Sequence, residues 1–254
     1  MLKVFQILNI AALVVTIFIN YLSNTGLFNN ETMASISAKY QNLFTPAGYA
    51  FSIWGLIYLA LFGFVMYYGP FTKNTDAKEK IVKNIGWWFI VSCMTNCLWI
   101  VTWLYNYTFL TVPIMVVLFI SLMKIILNNR GTIEARGMRT LLFLRLPFYI
   151  YSGWISVALI ADVAAYLKKT EWSGFGISET SWTVIMFVAA ALVHLYMLWK
   201  RNMVSFVLVA VWALVAIAAA NKNTNGTVYY FAIMTAVLLA LNAVIKMLTK
   251  RSVI

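Results

Sequence analysis

The chain has 254 residues, of which 63% are apolar, 16% are Phe, Trp or Tyr and only 10% are charged. A soluble domain carries about 25% charged residues, so this sequence lacks the polar surface to coat a water-soluble globule. That excludes a soluble α/β enzyme, a disordered chain, a disulfide scaffold and a coiled coil. The apolar runs are continuous and not alternating, which excludes an outer-membrane barrel.

What remains is an all-α integral membrane protein. About 20 apolar residues make one span, and the sequence offers eight spans, near 4–22, 46–68, 84–105, 107–127, 141–167, 182–199, 203–220 and 228–247. The first run follows Lys3 and lacks an Ala-x-Ala cleavage pattern in Asn20 to Asn24, so it reads as a retained helix and not as a signal peptide.

Charge orients these spans. The balance of 19 Lys and Arg against 7 Asp and Glu leaves +12. With the amino terminus inside, fourteen of the basic residues fall on inner loops and inner span ends, Lys80, Arg136 and Arg201 among them. Only Lys39, Lys168, Lys169 and Lys222 fall outside, and Arg145 lies within the fifth span, placed to reach the inner headgroups. This is the positive-inside pattern. It places both termini in the cytoplasm, with a bacterial inner membrane as the simplest host, and it leaves no basic patch for nucleic acid.

The longest loop, about 23–45, is rich in Asn, Ser and Thr and falls outside. The second span then opens with Pro46, which suits a helix's first turn, and carries Trp54 and Tyr58 four residues apart. Inner residues 73–83 read as a solvated connection. The third span carries Asn96, Trp99 and Trp103 on one face; Cys93 and Cys97 share a face too, but read as packing. Tyr105 to Tyr107 is short enough only for a hairpin. The fifth span carries Tyr151, Trp154, Ala158 and Asp162 at intervals of three, four and four.

Aromatic belts belong near span ends, whereas Trp54, Trp99 and Trp154 lie well inside. Asn96 is an amide in mid-span, and Asp162 is the one acid inside any span. A membrane carboxylate should face a polar interior or a ligand, protonated or paired with a donor such as Asn96 or a Trp N–H. Three helices thus each present an aromatic stripe interrupted by a polar or small residue. The last three spans are plainer. Ala189 to Ala191, Ala213, Ala216 and Ala220 suit close helix packing or a homodimer contact, and His194, the one histidine, reads as structural.

These segments resemble the TspO/MBR family of translocator and tryptophan-rich sensory proteins. The family's Trp-Gly-x-x-Tyr is matched by Trp54 to Tyr58, and its Asn-x-x-Trp by Asn96 to Trp99, with Trp103 where the family has Phe. Its Tyr-x-x-Trp-x-x-x-Ala-x-x-x-Asn is matched by Tyr151, Trp154 and Ala158, with Asp162 in place of Asn and the proline shifted to Pro147. The resemblance covers about 1–167. It implies one membrane domain over 1–254, built as a five-helix TspO-like core over 1–167 and three additional helices over 168–254.

It further implies a pocket under the 23–45 loop for a flat hydrophobic ligand: a tetrapyrrole such as protoporphyrin IX or haem, or a sterol. Trp54, Tyr58, Asn96, Trp99, Trp103, Tyr151, Trp154 and Asp162 would line it. A porphyrin or haem would be a ligand and not a required cofactor, and the partners are that ligand and membrane lipid. Val163 to Lys168 also fits the weak cholesterol pattern. No catalytic or metal constellation stands out, although some relatives are linked to light-dependent porphyrin breakdown. The competing reading is a proton-coupled transporter of a small amphipathic solute that uses Asp162.

Overall fold

Uncharged runs of Leu, Ile, Val and Phe leave the backbone no partner in lipid except itself, so such segments become helices. The computed structural model describes residues 2–134 and 137–251, and helices account for about four-fifths of them, with no strand among the described residues. Arg136 lies outside the described residues. In chain order the helices are α1 (Leu2–Leu22), α2 (Met33–Lys39), α3 (Ile53–Tyr68), α4 (Asp76–Ile85), α5 (Trp88–Leu104) and α6 (Thr108–Asn128). There follow the short α7 (Arg130–Glu134) and α8 (Met138–Thr140), then α9 (Leu146–Lys169), α10 (Glu179–Arg201), α11 (Val204–Asn221) and α12 (Gly226–Arg251).

Among the described residues, seven helical stretches are long and apolar enough to cross a membrane; counting the pair α4 and α5, bent by 43°, as one span makes eight. Their outward faces are greasy. On α3, Leu56, Leu59 and Phe62 are at least half exposed, as are Val14 on α1 and Leu192 on α10. Exposed apolar faces of this extent are what lipid requires and water penalises.

Two boundaries differ from the sequence reading. Residues 76–85 are not a solvated loop but an amphipathic helix that buries Ile81, Val82 and Ile85. Thr75 caps it, accepting from the Lys78 N–H at 3.4 Å, and Glu79 pairs with Lys83 at 2.6 Å. Gly86, at φ +50°, ends it and lets the chain turn before α5. Glycine takes that conformation without the penalty a Cβ would bring, so the helix that carries Asn96 starts at Trp88 and not near 84. Pro46 likewise does not open a helix: a 3-10 turn over Gly48–Ser52 intervenes, and α3 begins at Ile53.

The chain divides into two compact units. One comprises residues up to Ile36 together with Ile53–Ile155. Within it α5 and α6 form the expected hairpin, closed by the Tyr107 N–H donating to Thr102 O at 2.8 Å, with Asn106 in the left-handed region at φ +62°. Helix α1 packs on α3, α4 and α5. Phe64, Phe89 and Phe148 form the aromatic core, with ring centroids 5.0 to 6.0 Å apart. A single π-helical turn over Leu141–Arg145 precedes Pro147. A proline ring crowds the carbonyl four residues back and donates no N–H, which accounts for the widened turn there. Arg145, at the end of that turn, rests its guanidinium 5.7 Å from the Tyr149 ring centre.

The other unit comprises Ser37–Ser52 and Ser156–Ile254, described to residue 251. Helices α10, α11 and α12 pack on one another. Ala213 and Ala216 of α11 and Ala232 and Ala236 of α12 are all buried, as are Ala190 and Ala191 of α10. Much of the small-residue stripe is therefore spent on packing inside the protomer, where it lets backbones approach. Segment 43–50 lies along α11: the Ala47 N–H donates to Ala216 O at 3.0 Å, Trp212 Nε1 to Ala50 O at 3.2 Å and Asn221 Nδ2 to Leu43 O at 3.0 Å. Asn221→Leu should remove the donor to a carbonyl that no nearby helix turn can satisfy, costing about 1–2 kcal/mol. Hydrogen exchange should then quicken at residues 43–50 while α12 stays protected.

Candidate functional site

The aromatic stripes anticipated on α3 and α9 meet. Trp54 is the hub: its ring stacks on Tyr58 (5.5 Å between centroids, 22°) and meets Tyr151 (5.7 Å, 71°) and Trp154 (6.4 Å, 81°) edge-on. Offset stacks and edge-to-face pairs are the favoured geometries of rings that carry a quadrupole. Tyr151 and Trp154 are buried, while Trp54 and Tyr58 are half-buried. The four-residue spacing of Trp54 and Tyr58 puts one ring above the other on a single helix face, which is why the motif produces a stack.

Helix α5 supplies the polar centre. Asn96 is fully buried; its Nδ2 donates to Tyr151 Oη at 3.0 Å and its Oδ1 accepts from Asn20 Nδ2 at 3.0 Å. Both halves of the amide are thus engaged, so Asn96 is bonded to α9 and α1. One and two turns further along α5, Trp99 and Trp103 stack on each other at 5.6 Å and 17°, both buried. The structure therefore connects Trp54, Tyr58, Asn96, Tyr151 and Trp154 through direct contacts, with Trp99 and Trp103 continuing the Asn96 face of α5. Asp162 is buried at 3% exposure in the second unit, eight residues along α9 from Trp154.

Sequence reasoning missed the contribution of α1. Gln6, Asn9 and Thr16 are all under 5% exposed, and with Leu13 and Asn20 they recur every three or four residues along one face. That signal was available, since amides at helical spacing within an apolar run mark a face turned away from lipid. Gln6 Nε2 closes the end of α3, donating to Tyr68 O at 2.8 Å and Gly69 O at 3.2 Å, and Thr16 Oγ1 accepts from Cys97 Sγ at 3.7 Å. Cys97 and the buried Cys93 are free thiols. Three polar atoms on α1 and α3 are buried with no hydrogen-bond partner among the described residues: Gln6 Oε1, Asn9 Oδ1 and Tyr58 Oη.

His194 is held at both ring nitrogens. Nδ1 lies 2.7 Å from Ala190 O and Nε2 3.2 Å from Ser156 Oγ, with the Phe206 ring centre 4.8 Å away at a tilt of 35°. Nδ1 must donate to the carbonyl, so in the neutral ring Nε2 is the acceptor for the serine hydroxyl. No group of three or more His, Cys, Asp or Glu residues is disposed to hold a metal ion among the described residues.

An all-helical membrane protein with a buried aromatic–amide cluster joining three helices is the class these features define. The chain belongs to the TSPO-like protein family, whose model matches residues 6–245. The match runs through α10 and α11 and most of α12. No curated protein and no solved structure matches the chain.

Proposed function

We propose that the aromatic–amide cluster around Trp54 binds a flat hydrophobic molecule, a tetrapyrrole such as protoporphyrin IX or a sterol-like ring system, and that the protein senses or regulates through that binding. The observation that carries this reading is Tyr58. Its hydroxyl is buried without a partner at the edge of a wall of four stacked and edge-on rings. Buried polar groups are seldom left unmatched, and a planar ligand stacked on this wall would bring a polar edge to meet it. Ligand pockets combine these two elements, an aromatic lining and a few placed polar groups. The chain's one histidine has both nitrogens engaged, so a tetrapyrrole would be held by stacking and hydrogen bonds and not by a His194–metal bond.

Titrating protoporphyrin IX into the protein in lipid nanodiscs should quench tryptophan fluorescence saturably. Tyr58→Phe should weaken binding about fivefold, the value of one hydrogen bond, without loss of thermal stability, because it removes an unmatched hydroxyl. Quenching no greater than that of free tryptophan, or a Tyr58→Phe titration that overlays the wild type, would reject this reading.

The buried carboxyl of Asp162 favours a second reading, proton-coupled transport of a small amphipathic solute. Asp162→Asn should abolish gradient-driven uptake into proteoliposomes if Asp162 carries the proton, and should leave protoporphyrin quenching unchanged if the protein only binds.

A further inference from the structure

The connection between α9 and α10 borders an open cavity, wholly within the unit formed by 37–52 and 156–251. It measures about 410 Å³, and its apolar wall includes Phe44, Leu167, Trp172, Trp182 and Met186. That volume falls within the range of small-molecule sites. The rim is rigidly built. Trp182 Nε1 donates to Gly174 O at 2.8 Å; Gly174 holds φ +68°, and a Cβ there would come within 3.2 Å of that same nitrogen, so the position favours glycine. Glu171 and Phe175 both hold φ near +50°, a region that non-glycine residues seldom adopt and that clusters at functional loops. Trp172 sits against Trp182 and Phe175, each 5.2 Å away between centroids, while Phe175 itself is 82% exposed.

The charges on this rim do not cancel. Glu179 accepts from the Leu43 N–H at 3.2 Å and faces Lys168 at 3.7 Å, so that carboxylate and that ammonium offset each other. Glu171 also lines the cavity but forms no ion pair among the described residues. Among its lining residues the cavity therefore offers indole rings and one carboxylate more than ammonium groups, while Lys39 and Lys169 stand over the Tyr40 ring, outside the lining. An aromatic wall next to a carboxylate that is in no ion pair is the combination that selects organic cations.

We propose that this cavity is a binding site for an amphipathic organic cation, with its apolar body against Trp172 and Trp182 and its ammonium near Glu171. The site is separate from the Trp54 cluster and stands or falls independently of it. It can be tested by calorimetry on the full chain in phosphatidylcholine nanodiscs, with three probes of one shape: (2-naphthylmethyl)trimethylammonium, its neutral tert-butyl analogue and 2-naphthylacetate.

The ammonium should bind saturably, and the neutral and anionic probes at least about fivefold more weakly, as expected for one exposed ionic contact plus a cation–π contact. Glu171→Gln should remove the preference for the ammonium over the neutral probe, and Glu171→Lys should reverse the order of ammonium and acetate. Trp172→Ala should weaken all three. A melting curve matching the wild type confirms that each variant is folded. Equal affinity for the neutral probe, tighter binding of the acetate, a Glu171→Gln variant that keeps its preference, or heats no larger than those of empty nanodiscs would each overturn the proposal. The last result would assign the cavity to lipid tails.

Discussion

Trp154→Ala is expected to destabilise the protein by about 3 kcal/mol and to abolish saturable protoporphyrin quenching. Lipid tails are as apolar as a protein interior, so little transfer energy is lost when a buried membrane side chain is truncated. The cost comes instead from the void. At about 24 cal/mol per Å³ of unrelaxed cavity, a tryptophan-sized hole of roughly 130 Å³ costs about 3 kcal/mol. Trp154 is 3% exposed and abuts Trp54, so the void would open beside the hub of the ring cluster. Trp154→Phe retains a ring in the same place and should lose about half as much stability, with quenching weakened but saturable. Thermal unfolding in nanodiscs, monitored by circular dichroism, separates the three proteins. If Trp154→Ala melts with the wild type, the ring cluster does not bear on the stability of this unit.

The same cluster shows what could be read from the sequence and what could not. Trp54 with Tyr58, Asn96 with Trp99, and Tyr151 with Trp154 were legible because large or polar side chains three and four apart within apolar runs can lie only on one helix face. The meeting of α3 with α9 follows from that logic. The role of Asn20 did not emerge, because it ends the first apolar run and looks like a loop residue until its amide is seen to reach Asn96.

Residues 43–50 mislead for a different reason. Pro46 fits a helix start by local rules, yet partners more than 160 residues away, Trp212, Ala216 and Asn221, hold the segment out of the helix. Propensity is a weak prior that tertiary bonds override. The cavity beside Trp172 was illegible on similar grounds, since it depends on left-handed backbone at Glu171 and Phe175, which nothing in those residue types announces.

Asn96→Leu is the second large effect expected, and it tests whether the amide is the joint between helices. Leucine matches asparagine in size, so packing is little disturbed, but Tyr151 Oη loses its donor and Asn20 keeps only its bond to Thr16 O at 3.3 Å. Interhelical hydrogen bonds in membranes average about 0.6 kcal/mol and reach about 1.7, because the separated helices find other partners. A hydroxyl left buried and unmatched adds about 1–3 kcal/mol, so a loss of about 2 kcal/mol is expected. Since that penalty belongs to the orphaned tyrosine, Tyr151→Phe should cost about 1 kcal/mol in the wild type and nothing, or less than nothing, in the Asn96→Leu background. A double-mutant cycle on nanodisc-embedded protein measures this coupling directly. Additive losses would mean that Asn96 and Tyr151 act independently and that α5 and α9 are joined by ring packing alone.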